Sequence, residues 1–399
     1  MAAIQQLYEY SFDMNYVLNN KDYELSSEII KYAMIEYDYD SNIMPIIYMS
    51  LALKKSLFDK INNNVDKGYI SLIIRKRQSN ATRPLWTKYI EGQFNYFILS
   101  DSAETNVNIS VNDEKEQPYD GDDFKTMEIA LLKTDIMNKT KKTYNTVLSG
   151  ITLMDAAHYG TAHIPMVIEP IKGGSYGNLL IPPISSTSEY LKYINGVKEL
   201  YSTPYRFFVD FNRGYLLSSS GKAVPVKGDK ANSIIIQEEK ADELSNKFTG
   251  QEYDDAQKCY TIRLSKNEIT ETKNNISNKS VNKIVGFSTS GKRSTSKMNT
   301  LKDTYATERT SFIRVKNENM SSVSNKSKRI ENQSLMISFA KSEIDASIFT
   351  PNMEYNYKSL QVSEYNGRYL LSKKQEIFKQ TDGQFIADIH IALKKIMSK

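Results

Sequence analysis

The chain has 399 residues, enough for about two or three domains, and its 52 Lys and Arg residues against 47 Asp and Glu residues give a formal net charge of +5. Because basic and acidic clusters are interspersed, the composition indicates a solvated surface and argues against a nucleic-acid-binding class. The single cysteine, Cys259, excludes an intramolecular disulfide and a cysteine-based zinc cage, and predicts folding in a reducing cytoplasm.

The beginning of the chain reads as β-structure. Apolar residues alternate with polar ones from Tyr8 to Leu18, which predicts a long half-buried strand. The alternation recurs around residues 46–53, 70–74 and 94–98. With Asn, Asp and Gly between these runs, the first hundred residues predict a small β-barrel or folded sheet. We find neither a secretion signal nor an apolar run long enough for membrane insertion.

An acidic break at residues 120–123 precedes the next elements. Residues 127–131 alternate in a way that favours a strand over a helix. Thr152 and Asp155 have the spacing of a helix N-cap, so "TLMDAAHYG" is predicted to be a short helix.

Residues 179–219 predict a small α/β unit. An apolar strand at 179–181 should stop at Pro182-Pro183, because proline cannot donate to a strand ladder. Ser186 and Glu189 should form a capping box, and Thr203-Pro204 should end the helix. One face of that helix should carry Tyr190, Ile194, Val197 and Tyr201. A strand over 205–211 should follow, with a turn at 212–214 in which Gly214 adopts a positive φ.

The segment 265–333 is rich in Ser, Asn, Lys and Thr. Its composition is typical of disorder, yet "NKIVGFS" and "TSFIRVKN" keep strand-like patterns, which predict long exposed hairpins ordered by a partner. Strands are predicted over 335–339 and 344–348, with a turn at 350–352. Asn366-Gly367 predicts a β-hairpin turn.

Candidate chemical groups are few. The histidines are His158, His163 and His390; the first two are five residues apart and cannot stack on one helical face, and His390 should lie on a strand surface. Cys259 lies in a strand-like run, where a buried thiol is the ordinary outcome. Paired carboxylates for glycoside cleavage stay open as an alternative, since Asp and Glu occur throughout.

Two loop-like segments invite ligand-binding interpretations. "DGDD" at 120–123 lacks the glutamate that an EF-hand needs twelve positions along. "KGGSYGN" at 172–178 has neither phosphate-binding glycine motif, so it is predicted to be a loop. We therefore predict no catalytic, cofactor-binding or metal-binding residues, and no enzymatic activity.

The order of elements resembles the baseplate hub, or tail hub, proteins of tailed bacteriophages and contractile injection machines. The resemblance covers residues 120–220 and 335–380: the strand ending in "IPP" before an amphipathic helix, the aromatic strand ending in Asp-Phe before "YLL", and the "TPN" turn. It implies an α+β, β-rich fold in which two small β-barrel domains, 1–118 and 220–399, flank an α/β domain, 119–219, with the exposed hairpins in 265–333.

The resemblance also implies a structural virion protein made in the bacterial cytoplasm. It would be a homotrimer whose two barrels per chain form a quasi-sixfold ring, joining the sixfold tail tube to the threefold central spike and forming part of the axial channel. Implied partners are the tube or its initiator protein, the spike or tail-lysin protein, the tape-measure protein and the baseplate wedge. The alternatives are another baseplate or tail-tip component, a wedge or adaptor, or a tail-associated cell-wall hydrolase.

Overall fold

A computed structural model gives the architecture of most of the chain. The described residues are 8–79, 85–102, 124–173, 175–240, 251–273, 283–288, 293–297, 310–315, 335–341, 344–360, 362–381 and 384–396. The acidic segment 120–123 lies outside them.

Strands dominate the described structure and are numbered β1 to β23 in chain order. They are Tyr8–Leu18, Lys21–Leu25, Ile30–Asp38, Ile46–Lys54, Gly68–Gln78, Thr87–Ser102, Phe124–Lys133, Tyr144–Thr152, Met166–Ile168, Ser175–Ile184, Tyr205–Val209, Gly214–Ser218, Ser233–Glu239, Gln251–Asp254, Cys259–Ser265, Ile269–Lys273, Lys283–Ser288, Arg293–Lys297, Thr310–Val315, Leu335–Lys341, Glu354–Lys358, Gly367–Thr381 and Gln384–Lys395. Helices α1 to α4 are Lys55–Asn62, Thr134–Thr140, Leu153–Thr161 and Thr187–Val197. The predicted β-rich α+β fold class is confirmed.

Eight antiparallel strands close into a barrel, which we call the first barrel. Their order is β1, β5, β6, β7, β4, β3, β22 and β23, and β23 pairs back to β1. Alternate residues point inward, so the burial of β1 repeats with a period of two, as predicted. Inside, the ring of Phe12 meets Phe378 at 5.1 Å and Phe385 at 4.8 Å in edge contacts. The core therefore joins the two ends of the chain.

The hairpin formed by β22 and β23 also belongs to a second sheet. In this second sheet the strand order is β14, β15, β13, β21, β22, β23, β20 and β16. Residues 373–378 of β22 pair with β3 of the first barrel, whereas residues 367–369 pair with β21. A bulge at Ser372 separates these two stretches. One long hairpin thus serves as a wall of both β-structures.

The predicted division of the chain at residues 118 and 219 stays a prediction. Strand pairing runs across both predicted boundaries: β7, which follows residue 118, and the C-terminal hairpin, which follows residue 219, both hydrogen-bond to strands of the first hundred residues. β7 also confirms that residues 127–131 form a strand and not a helix.

Between β7 and β13 the chain forms the α/β segment. β8 and β10 make a two-stranded antiparallel ribbon, and β11, β12 and β9 make a three-stranded sheet. The predicted helix after Thr152 is α3, and both halves of its capping box with Asp155 are present. β17, β18 and β19 form a separate sheet within the Ser/Asn-rich segment, which confirms strands in "NKIVGFS" and "TSFIRVKN".

Three predictions around α4 need correction. β10 does not stop before the prolines but runs to Ile184; its ladder to β8 passes directly from Ile181 to Ile184, so neither proline has to donate. The Ser186 hydroxyl does accept from the Glu189 N–H, but the Glu189 carboxylate accepts from the hydroxyl of Ser185 instead of completing the box.

The helix α4 also ends earlier than predicted, at Val197. The side chain of Asn195 accepts a hydrogen bond from the Leu200 N–H and so turns the chain away from the helix axis. Tyr190 and Ile194 are fully buried as predicted, and Val197 is half-buried. Tyr201 is buried too, but its hydroxyl donates to the carbonyls of Glu169 and Leu216 outside any helix.

Two predicted turns and one strand also differ. Gly214 does not have a positive φ; instead, its missing Cβ leaves room for the Met166 side chain of the neighbouring strand to pack over it. Gly367 has a φ of 135°, but a 3₁₀ helix at Ser363–Tyr365 precedes it, so Asn366-Gly367 is not a two-residue hairpin. Residues Ala346–Ile348 form a 3₁₀ turn and not a strand, because Asp345 caps the Ser347 N–H.

Candidate assembly surfaces

A polar cluster surrounds Asp40 at the point where the shared hairpin passes from the first barrel to the second sheet. The Arg206 Nε, on β11, lies 3.6 Å from Oδ1 of Asp40, and the Ser372 hydroxyl donates to Oδ2 at 2.6 Å. Lys394 of β23 also pairs with Asp40, and Arg206 donates to the Leu371 carbonyl. Burial opposes ionisation of Asp40, but Arg206, Lys394 and Ser372 outweigh it and lower the pKa. The cluster ties the α/β segment to both β-structures.

A second polar group lies inside the first barrel. Glu376 is completely buried and accepts a hydrogen bond from the Tyr89 hydroxyl at 2.7 Å. The Lys374 ammonium lies 3.4 Å from Glu376 and 3.8 Å from the centre of the Tyr37 ring. Burial, followed by the charge of Glu376, raises the pKa of Tyr89. These charges neutralise one another within the core, so they support the barrel and offer no open reactive centre.

An apolar row crosses the outer wall of the first barrel. Five strands contribute residues in direct register, namely Phe97, Ala130, Tyr48, Met34 and Ile377. Phe97 is 44% exposed and nearby Leu99 is 55% exposed. Because the inward positions of the same strands already fill the core, the exposed ring of Phe97 and the half-buried side chains of Tyr48, Met34 and Ile377 are additional apolar surface of the kind that protein contacts use, whereas Ala130 between them is buried.

The ribbon of β8 and β10 carries another exposed apolar pair. Val147 and Leu180 lie directly opposite each other in the ladder and are 55% and 64% exposed. The Tyr193 hydroxyl of α4 donates to the Leu180 carbonyl at 2.8 Å. A two-stranded ribbon is marginal alone, and no third described strand covers either of its edges.

The second sheet is open between its two terminal strands, β14 and β16. Among the described residues no ladder joins them, although the Tyr357 hydroxyl of β21 reaches Glu271 of β16 at 3.0 Å. β14 exposes Tyr253 together with the carboxylates of Glu252 and Asp254. Glu252 pairs with Arg263 of β15, so this edge combines backbone positions that no other described strand covers with the exposed carboxylate of Asp254.

The residues considered for chemistry are dispersed. His163 follows α3 and its Nε2 bonds the Lys139 carbonyl at 2.6 Å; burial lowers its pKa, and Lys142 adds to that effect. His158 lies within α3, and His390 is a half-buried residue of β23, as its alternation predicted. Cys259 is buried in β15, which confirms the prediction of an ordinary packed thiol.

The glycine-rich segment 172–178 is not a loop throughout, because Ser175–Asn178 begin β10. Within the described part of the chain, no group of three or more His, Cys, Asp or Glu residues is arranged to hold a metal ion. Nor does any helix in that part combine the length and apolar character needed to cross a membrane.

The sequence analysis did not predict these surfaces, although the sequence of β4 indicates one of them, the apolar row on the outer wall of the first barrel. Except for Ser50, the run "IIYMSLAL" of β4 is apolar at both strand parities, which is the pattern of a strand covered on two faces. No sequence pattern indicates the Asp40 cluster, because its members come from positions as distant as 40, 206, 372 and 394.

The sequence matches the family model described as Bacteriophage PBS1 gene 109 protein over residues 3–396. No curated protein matches it. Among solved structures, the tail protein from Neisseria meningitidis MC58 has 9% identity and a TM-score of 0.52, covering 96% of this chain and 97% of that one. The 43 kDa tail protein of prophage MuSo2 from Shewanella oneidensis has 10% identity and a TM-score of 0.49, with 95% and 98% covered. A PdpA-VgrG complex has 10% identity and a TM-score of 0.44, with 98% and 65% covered.

The chain belongs to the family of the bacteriophage PBS1 gene 109 protein. Its fold is that of the Neisseria tail protein. The resemblance to bacteriophage tail proteins drawn from the sequence is confirmed.

Proposed function

We propose that this member of the bacteriophage PBS1 gene 109 protein family is the hub of a phage tail, a homotrimer that joins the sixfold tail tube to the threefold central spike and encloses part of the axial channel. Its site of action is the virion, after synthesis in the host cytoplasm. The family match and the Neisseria tail protein that shares its fold support the coarser part of this proposal, a structural tail protein.

One observation supports the more specific proposal of a trimeric hub. The hairpin of β22 and β23 is built into two β-structures, each of which has eight strands among the residues that the structure describes. Three chains would therefore present six β-units, three closed barrels alternating with three open sheets, around an axis while keeping true threefold symmetry. Such an assembly matches a sixfold tube on one side and a threefold spike on the other, which is the symmetry change a hub has to make.

The exposed apolar residues support assembly over catalysis. The outer row with Phe97 and the pair of Val147 with Leu180 lie on strands whose other faces already pack into the core. The charged residues Lys374 and Glu376, buried in the first barrel, form an ion pair with each other. We therefore propose a non-enzymatic role in which the wedge and tape-measure proteins are further neighbours.

Imaging of intact tails tests this proposal. Density for this chain should lie on the tail axis with three copies between tube and spike. Three copies on the axis would support the hub, whereas six copies at the periphery would reassign the chain to a wedge or adaptor. Loss of peptidoglycan by zymography, abolished by substitution of a single carboxylate, would contradict the non-enzymatic role.

A further inference from the structure

The edge of β8 that faces away from β10 has backbone hydrogen-bonding groups that no other described residue engages. The Leu180 carbonyl accepts from Tyr193 and so points away from β8. In an antiparallel ladder, opposed residues either bond each other or both point outward. Val147, opposite Leu180, therefore directs its N–H and C=O away from β10, and Ser149 does the same two residues further along.

The two edges of the ribbon are not equivalent. On β10, Pro182 and Pro183 lack an N–H and the Tyr193 hydroxyl occupies a carbonyl, which is how natural edge strands are protected from pairing. On β8, Asn145, Val147 and Ser149 are exposed, and no hydrogen bond joins their outward backbone groups to other residues that the structure describes. The open edge is therefore that of β8.

A complementary edge lies on the same chain, in β14 at the end of the second sheet. The residues leading into β8 include Lys139, which pairs with Asp135, together with Lys141 and Lys142, and β8 itself carries no charge. The residues of β14 and the turn after it include Glu252, Asp254 and Asp255; Glu252 pairs with Arg263 and Asp255 with Lys258, but Arg263 also pairs with Glu239, so this end of the sheet keeps an excess of carboxylates. Tyr253, 38% exposed, is an apolar partner of the right kind for Val147 and Leu180.

We propose that β8 of one copy adds as a strand to β14 of the next copy, with the lysines before β8 facing the carboxylates of β14 and Tyr253 packing on Val147 and Leu180. This inference rests on the proposed trimer and names its contact. Pairing two different edges is a head-to-tail contact, and three such contacts close a threefold ring.

Two opposed residues give a matched test. Ser149 and Asn178 face each other and share a hydrogen bond from the serine hydroxyl at 2.7 Å, so Ser149→Pro and Asn178→Pro both remove it along with one outward N–H. Only Ser149→Pro changes the open edge. Light scattering should show that Ser149→Pro weakens the trimer about tenfold or more, while Asn178→Pro leaves it unchanged.

Charge reversal provides a second measurement that does not depend on proline. Lys141→Glu should weaken the trimer, and Asp255→Lys in the same chain should restore it. Amides of β8 should exchange slowly in the wild-type trimer and rapidly in the Ser149→Pro variant. Two results would overturn this contact while leaving the hub proposal intact. One is a stable wild-type trimer in which the β8 amides exchange rapidly. The other is a trimer whose stability changes with neither the proline nor the charge-reversal variants. A wild-type chain that stays monomeric overturns the hub and this contact together.

Discussion

The ring of Tyr190 occupies the space that a Cβ on Gly160 would fill, so α3 and α4 pack directly against each other at this glycine. Tyr190 is completely buried and its hydroxyl donates to the Ala156 carbonyl, which leaves the ring no room to move. Gly160→Ala should lower the free energy of unfolding by about 1–3 kcal/mol.

Gly196 is the matched control for that substitution. It too lies in a helix, but a Cβ there would meet nothing within 4 Å. Gly196→Ala should therefore raise the free energy of unfolding by about 0.5–1 kcal/mol, as helix propensity dictates. Urea unfolding of both variants checks the pair; a stabilising Gly160→Ala would mean that the two helices do not pack as described.

The Asp40 cluster should stabilise the junction more than any surface ion pair does. Arg206 is only 9% exposed in its side chain, whereas Lys88 and Glu91 form a pair that is 61% and 49% exposed. Arg206→Met should lower the free energy of unfolding by about 2 kcal/mol, because the charge of Asp40 would lose one of its two cationic partners. Lys88→Met should cost about 0.5 kcal/mol or less. Equal losses in thermal unfolding would show that Arg206 is not a connecting residue.

The buried pair of Lys374 and Glu376 predicts a strongly non-additive mutant cycle. Lys374→Met or Glu376→Met alone should each cost about 3 kcal/mol, because each leaves an uncompensated charge inside the barrel. The double variant should recover a large part of the summed loss. Denaturant titrations of the four proteins give the coupling energy, and strict additivity would contradict a direct pairing of these side chains.

Asp345 predicts an acid-dependent loss of stability. Burial opposes its ionisation, but the Lys76 ammonium at 2.7 Å and hydrogen bonds from Ser347 outweigh that and lower its pKa. A carboxyl whose pKa is lower in the folded state stabilises the protein above its unfolded pKa, and this contribution is lost as the pH falls through the folded value. Wild type should exceed Asp345→Asn in stability at pH 7, and the difference should shrink below about pH 4. A difference that stays constant with pH would contradict this assignment.

Local elements were predictable where local chemistry decides them. Alternation placed β1, and the Thr152–Asp155 spacing placed α3, because period and capping depend only on neighbouring residues. The end of α4 was not predictable, since a side-chain hydrogen bond from Leu200 to Asn195 competes with continuation of the helix. The 3₁₀ turn at Ala346–Ile348 likewise depends on the cap at Asp345.

Local sequence patterns could not predict which strands close the first barrel. It needs Tyr10 beside Phe385 and Met34 beside Ile377, pairings that join opposite ends of the chain. The sharing of one hairpin by two β-structures depends on the bulge at Ser372, which alternation alone does not locate. The outer apolar row follows from this closure, because it decides which face of each strand is left outside.

The central claim is that the chain works as a threefold ring, and the mass of the purified protein tests it most directly. Light scattering coupled to size exclusion should give three times the 45.7 kDa of the chain, and microscopy of that species should show a ring with six similar lobes. A mass of 45.7 kDa that persists at high protein concentration would contradict the account.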